Sequence, residues 1–184
     1  MLKRWLQNIA IATTIVVAIA VLGSGTALSD AALEYRVKAA FLYNFAKFVN
    51  WPDSAFSSVD EPLGVCVLGT DPFGAVLDKS LEGRTAHGRN LLIRRGSDLA
   101  ALGRCHVLFV GTVAHEPLAR IMQRVGGSGA LTVGETHGFF DLGGIIRLDV
   151  EDGKVRFDVN AGRADEAGLR VSSQLLKLAR DVSR

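Results

Sequence analysis

The chain reads as an α/β protein: a three-layer αβα sandwich on a mixed, mostly parallel sheet that ends in an antiparallel hairpin. Three observations predict this. Short, continuously apolar runs, LGVCVLG (63–69) and CHVLFVG (105–111), have the length and composition of strands buried on both faces. Helical stretches alternate with them, an order that builds parallel strands covered by helices on both sides. Finally, IIRLDVEDGKVRFDVN (145–160) sets two alternating strands around Asp152-Gly153, a strong two-residue hairpin turn.

Taken in order, the 184 residues begin with Lys3 and Arg4, an uncharged apolar run from Ile9 to Leu22, and the small residues GSGTA. A basic start, a short apolar middle and a small-residue exit predict a secretory signal peptide over 1–27, cleaved after Ala27 with Gly25 at the −3 position. As an uncleaved anchor the apolar run would span about 21 Å, short of the roughly 30 Å hydrocarbon core. One domain, 28–184, remains, large enough for a core of its own.

From Leu33 to Val49 the pattern is helical, and AFLYNFAKFVNWP (40–52) makes it unusually aromatic. Wound at 100° per residue, Leu33, Val37, Phe41, Asn44, Phe45 and Phe48 share one broad face, widened by Leu42 and Val49. Arg36, Tyr43 and Lys47 form a narrow polar stripe opposite, Glu34 can pair with Lys38, and Pro52 ends the segment. Such a helix is expected to be covered on more than one side.

A helix is predicted over Phe73–Leu81, with Asp71 as N-cap and Pro72 in its first position. NLLIRR (90–95) is a second strand, Asp98 caps a brief helix to Leu102, CHVLFVG is the third strand, Glu116–Val125 is helical, and ALTVGE (130–135) is a fourth strand. If the first three strands run in the order 2-1-3, right-handed crossovers put the first and third side by side. In the hairpin, pairing outward from the turn puts Val150 opposite Val155, Leu148 opposite Phe157 and Ile146 opposite Val159 on one apolar face. The other face pairs Glu151 with Lys154, Asp149 with Arg156 and Arg147 with Asp158, and a slip of one residue would destroy both faces. After Asn160 a short helix ends at Gly168, and Ser172 is expected to cap a last helix to about Val182, with Leu175, Leu178, Ala179 and Val182 on its apolar side.

Composition excludes some functions. Net charge is +2, and Arg84, Arg89, Arg94 and Arg95 are spread along the chain as a solvated surface would have them, so no nucleic acid partner is expected. The four histidines, His87, His106, His115 and His137, lack metal-ligand spacing, and no Cys-rich zinc pattern or phosphate loop occurs in the folded part. No metal and no cofactor are predicted. His106, inside a strand, is expected to be a hydrogen-bonded core histidine, and Cys105 beside it would point to the opposite face, which rules out a Cys–His nucleophile pair. No nucleophile, base and orienter come together, so an enzyme is not expected.

Two loops after parallel strands could hold a small anion. They are GTDPFG (69–74) and VGETHGFFDLGG (133–144), the latter offering Glu135, His137, Phe139 and Phe140; the alternative is that both phenylalanines pack inward. Cys66 and Cys105 lie 39 positions apart. In an oxidising compartment they invite a disulfide, worth about 4 kcal/mol for a loop of that size, and two buried thiols are the alternative.

EYRVKAAFLYNFAKFVNWP (34–52), CHVLFVG, VGETHGFFDLGGIIRL (133–148) and KVRFDVNAGRADEAGLRVSSQLLKLA (154–179) together resemble the YfiR-like family of bacterial periplasmic proteins. The resemblance implies an α/β domain that forms a homodimer and represses an inner-membrane diguanylate cyclase by binding its periplasmic domain. Cyclic-di-GMP signalling and biofilm formation would be lowered. It also implies a disulfide between the strands that carry Cys66 and Cys105. Better-known members have a second cysteine pair near the hairpin, whereas residues 141–160 here contain none. Tyr43, Lys47 and Trp51 are the candidate contact residues of the first helix. The alternative is a periplasmic small-ligand sensor acting on another membrane receptor.

Overall fold

The computed structural model describes residues 24–113 and 116–184. The expected signal peptide lies outside them up to residue 23, and His115 is also outside. The chain divides into two compact units, 1–35 and 36–184. The described part of the first is helical, and Leu33 there is 56% exposed. Among the described residues no helix is long and apolar enough to cross a membrane.

In chain order the elements are α1 (Ser24–Phe48), β1 (Val49–Asn50), a 3-10 turn (Asp53–Ala55), β2 (Leu63–Leu68), α2 (Ala75–Leu81), β3 (Thr85–Ala86), β4 (Arg89–Gly96), α3 (Leu99–Leu102) and β5 (Val107–Val110). They continue with α4 (Leu118–Val125), β6 (Leu131–Gly134), β7 (Ile146–Glu151), β8 (Lys154–Asn160), α5 (Ala161–Glu166), β9 (Arg170–Val171), α6 (Ser173–Leu176) and β10 (Asp181–Ser183). Eight strands form one sheet in the order β10-β8-β7-β6-β5-β2-β4-β3, while β1 and β9 pair separately. The first three predicted strands therefore lie 2-1-3, with the fourth beside the third. From β4 to β7 neighbours run parallel, and β7 and β8 are antiparallel. The αβα class read from the sequence holds.

Every hairpin pair falls in the predicted register, from Glu151 opposite Lys154 to Ile146 opposite Val159. Asp152 and Gly153 both have positive φ, 50° and 71°, as this turn demands.

The ladder sorts the core into two faces. Val65, Val67, Val107, Phe109, Val133, Ile146, Phe157 and Val159 share one of them by register. Helix α1 covers it: Phe45 meets Phe157 edge-on at 5.2 Å, and Phe41 stands 5.3 Å from the same ring. On the other face Cys66, Leu68, Leu108 and Val110 pack with Leu102 of α3, with Ile121, Met122 and Val125 of α4, and with Phe139. That makes three layers.

Several expectations need correction. The first helix starts earlier than Leu33, and its buried face is turned from the predicted one. Lys38, Ala39, Leu42, Phe45, Ala46 and Val49 are buried, whereas Leu33 and Val37 are exposed. Lys38 belongs to the buried face, and its Nζ reaches Glu135 at 2.6 Å in the loop after β6. Helix α2 begins at Ala75 instead of Phe73, because the Asp71 carboxylate accepts the Phe73 N–H in a local turn and leaves the helix uncapped by a side chain. Helix α4 begins at Leu118, after Pro117. Asp98 does cap α3, accepting from the Ala100 N–H.

The predicted last helix is the largest departure. It stops at Leu176, Leu178 is 68% exposed, and Asp181–Ser183 form a strand parallel to β8. Arg180 causes the turn: its N–H donates to the Phe157 carbonyl at 2.8 Å, and its guanidinium reaches both Asp158 carboxylate oxygens.

Candidate functional site

The chemistry-bearing side chains gather at the amino ends of β2 and β5. Cys66 and Cys105 are joined there by a disulfide, with 5.7 Å between their Cα atoms. Cys66 is fully buried and Cys105 half-buried, in the turn leading into β5. The spacing is that of an ordinary disulfide between neighbouring strands. The expected bridge is present.

His106, next in the chain, is the core histidine the sequence suggests. Its Nδ1 accepts the Gly64 N–H at 2.9 Å, so the proton sits on Nε2, which donates to the Ala55 carbonyl at 3.1 Å. Burial lowers its pKa; Arg104 and Arg89 act in the same direction, against the Ala55 carbonyl and Glu61. The ring is thus neutral, with both nitrogens occupied, and is no free base. Phe56 stacks on it at 4.3 Å, and the Arg89 guanidinium stands 3.7 Å from the Phe56 ring centre. Arg89 also donates to the carbonyls of Ser58, Val59 and Glu61, fixing the loop that carries Phe56. A Cβ on Gly64 would lie 2.6 Å from the Arg104 carbonyl, so this close approach needs glycine.

Trp51 belongs to the same cluster. Its indole N–H donates to the Gly129 carbonyl at 3.1 Å, and its ring stands edge-on to His87 and His106 at 6.2 and 6.1 Å. His87 Nε2 in turn donates to the Ala46 carbonyl at 3.1 Å. Two histidines that sequence reasoning treated as unrelated therefore flank one tryptophan. Nothing local signals this, because the partners lie tens of residues away along the chain.

Beside the cluster opens a cleft of about 440 Å³. Leu99, Leu108, Val125 and Ala130 make it apolar, and Ser54, Ser128, Arg104 and Arg124 supply polar groups. Arg104 donates to the Ala55 carbonyl at 2.7 Å, while Arg124 is bound to Glu116 at 3.0 Å. Glu61, 3.6 Å from Arg104, accepts the Ser57 N–H, which lowers its pKa. The cleft lies at the amino ends of the parallel strands, and loop position in the sequence pointed to the carboxyl ends.

The other candidate residues stand elsewhere. Tyr43 is half-buried, with the Arg84 guanidinium 4.6 Å over its ring. Lys47 is exposed, 5.4 Å from the Phe48 ring. In the 133–144 loop, Glu135 pairs with the buried Lys38 and Phe139 is wholly buried. A Cβ on Gly134 or Gly144 would collide with the Phe139 ring, so both glycines exist to let it pack. Phe140 is half-buried near Arg147, and His137 is exposed. In GTDPFG, Asp71 is held by Arg95 at 2.6 Å. Among the described residues no three His, Cys, Asp or Glu side chains are grouped to hold a metal ion.

The chain matches the model of the YfiR/HmsC-like family over residues 35–180. The chain belongs to that family. YfiR-like proteins are periplasmic and non-enzymatic, and they regulate diguanylate cyclase signalling through partners. Among solved structures, an ABC domain from Streptococcus pneumonia in complex with L-Trp is similar at TM-score 0.47 and 11% identity, over 65% of this chain and 55% of that one. A conserved domain protein from Vibrio cholerae O1 biovar El Tor strain N16961 is similar at TM-score 0.48 and 12% identity, over 65% and 54%. The chain thus spans about half the length of these two structures.

Proposed function

We propose that this YfiR-like protein is exported through a signal peptide over 1–27, leaving 28–184 as one domain. There it represses an inner-membrane diguanylate cyclase by binding the enzyme's periplasmic domain, which lowers cyclic-di-GMP and biofilm formation. The family match over 35–180 is the observation that carries the reading. The chemistry agrees with it: the half-exposed cysteine is tied in a disulfide and the buried histidine has both nitrogens engaged, so the cluster has no group ready to attack a substrate. The protein works as a homodimer, with Tyr43 and Lys47 on the accessible side of α1 as contact residues and Trp51 anchoring the segment that follows them.

The test is cyclic-di-GMP measured in the source cell. Deleting the gene raises the nucleotide, the full-length chain restores it, and a chain lacking 1–27 does not. An unchanged level on deletion refutes repression. Light scattering on the oxidised protein reads the dimer, and a strict monomer at micromolar concentration refutes that part.

A second reading has the 440 Å³ cleft in its favour: a small acid bound between Arg104 and Arg124 would make the protein a sensor acting on a membrane receptor. Thermal-shift screening of small organic acids tests it, and a flat response removes it.

A further inference from the structure

His106 is engaged at every polar atom. Its main-chain N–H donates to the Gly64 carbonyl at 2.9 Å and its carbonyl accepts the Leu131 N–H at 2.8 Å, so the backbone is pinned between β2 and β6. Its ring bridges Gly64 and Ala55, accepting at Nδ1 and donating at Nε2. Only the bond to Ala55 is compatible with a second proton. An imidazolium carries N–H at both nitrogens, so Nδ1–H would face the Gly64 N–H, donor against donor, at a residue 2% exposed.

The stack raises a second obstacle. The Arg89 guanidinium and the His106 ring lie 3.7 and 4.3 Å from the Phe56 ring, too close to share a face, so Phe56 stands between them. Protonation would put a cation on each side of one phenyl ring. The other groups around the imidazole are Glu61 from the covering segment, Arg104 from the turn before β5, Arg94 from β4 beside Gly64, Arg124 from α4 across the cleft, and His87 beyond Trp51. Burial opposes the proton most, Glu61 favours it, and Arg104 and Arg89 oppose it. His87 behaves differently, because its bond to the Ala46 carbonyl is a donated one that an imidazolium keeps.

The covering segment is the part able to yield. Ser54 and Ala55 form one wall of the 440 Å³ cleft, and His106 Nε2 holds that wall at the Ala55 carbonyl. Arg89 fixes the carbonyls of Ser58, Val59 and Glu61, which confines any motion to the residues before them. We propose that His106 is a proton-operated latch on the cleft: protonation at Nδ1 breaks the bond to Gly64, turns the ring out, and frees residues 54–56 to open the wall. Arg104 is then the remaining hold on the Ala55 carbonyl. A turned-out ring binds its proton more readily than the buried one, whose pKa burial lowers. The latched form therefore loses stability as pH falls below the ordinary histidine value of about 6.5 and is kept above it. The device goes beyond cyclase repression and does not depend on it.

The test is an NMR titration of the oxidised protein from pH 7.5 to pH 4.5. His106 nitrogen shifts should show a neutral ring protonated on Nε2 at the start and proton uptake below about pH 6.5. Over the same interval three changes should appear together. Gly64 amide exchange, corrected for the intrinsic effect of pH, rises at least about tenfold; contacts between the Phe56 and His106 rings fade; and a neutral nitroxide in solution begins to broaden the methyl signals of Leu108, a buried residue lining the cleft. His106→Asn, which keeps an acceptor for Gly64 and takes up no proton, should abolish all three. Should that variant fail to fold, Glu61→Gln serves, moving the three changes together to lower pH because the carboxylate that favours the proton is gone. A ring that stays neutral until the protein unfolds, or one that protonates with Gly64 and Leu108 undisturbed, overturns the proposal. So do changes that persist in His106→Asn or stay in place in Glu61→Gln, and so does loss of amide protection in β5 and β6 at the same pH as at Gly64, which is unfolding of the sheet.

Discussion

Arg180 offers the sharpest energetic test. Asp158 is 2% exposed, on the sheet face opposite α1, and accepts from Arg180 Nε at 2.9 Å, Arg180 Nη2 at 2.6 Å and Arg147 Nη2 at 2.8 Å. Burial alone would raise the Asp158 pKa; the hydrogen bonds from Arg180, then those from Arg147, outweigh it and leave the carboxyl below its usual value. Arg180→Ala removes the two charge-assisted bonds to Asp158, with the longer ones to the exposed Asp149, and leaves Arg147 as the partner of Asp158. With each such bond worth about 1.5–3 kcal/mol, and Arg180 itself about a quarter exposed, the expected loss is about 2–4 kcal/mol at pH 7. In a domain of this size that lowers Tm by about 4–16 °C.

The pH dependence follows from the depressed pKa. Asp158 contributes its stability fully above the unfolded carboxyl value of about 4, and the contribution disappears as pH falls through the lower folded value. In the variant the carboxyl loses most of what held it down, so acid costs the variant less than the parent. Urea unfolding of both proteins at intervals from pH 7 to pH 2.5 should show a gap that is constant above about pH 5 and closes below about pH 4. A gap under about 0.5 kcal/mol at pH 7, or one that persists unchanged at pH 2.5, would refute the assignment of Arg180 as the charge that keeps Asp158 ionised.

Three further perturbations test other parts of the fold. Changing both cysteines to serine opens a loop of 39 residues and should cost about 4 kcal/mol, read as a lower urea midpoint with a steeper slope, because the unfolded chain without the bridge exposes more surface. Lys38→Met keeps the stem but removes the charge that Glu135 pairs with, so a loss of about 2–4 kcal/mol is expected, partly recovered by Glu135→Gln in the same chain. Gly144→Ala forces a methyl into the Phe139 ring and should cost about 1–3 kcal/mol by thermal unfolding, whereas Gly153→Ala, with open space around it, should show only the smaller strain of a left-handed backbone.

What could be read from the chain was what depends on near neighbours. The hairpin register follows from Asp152-Gly153 and the alternation on either side of it, and all six pairs stand as expected. The continuous apolar runs identify β2 and β5, and the strand order brings Cys66 and Cys105 together. What was missed depends on partners far off in sequence. Lys38 looks like a surface lysine until Glu135 arrives from the loop after β6 and pairs with it on the buried face of α1. Leu175, Leu178, Ala179 and Val182 have helical spacing, yet Arg180 is held by Asp158 and Asp149, and the chain extends into β10 instead. The indole bond from Trp51 reaches Gly129, 78 residues along the chain, and no local pattern announces it. The cleft forms where loops from 54, 104 and 129 meet, a convergence with no local signature.

The sulfur bridge also has a topological effect. Between its ends lie α2, β3, β4 and α3, so all of β4 belongs to one closed covalent ring. Peeling β4 away from β2 can open that ring locally but can feed no slack to α1 before it or to β5–β10 after it. A force applied to β4 therefore meets a tethered flap, and the remainder of the molecule is mechanically insulated from the pull.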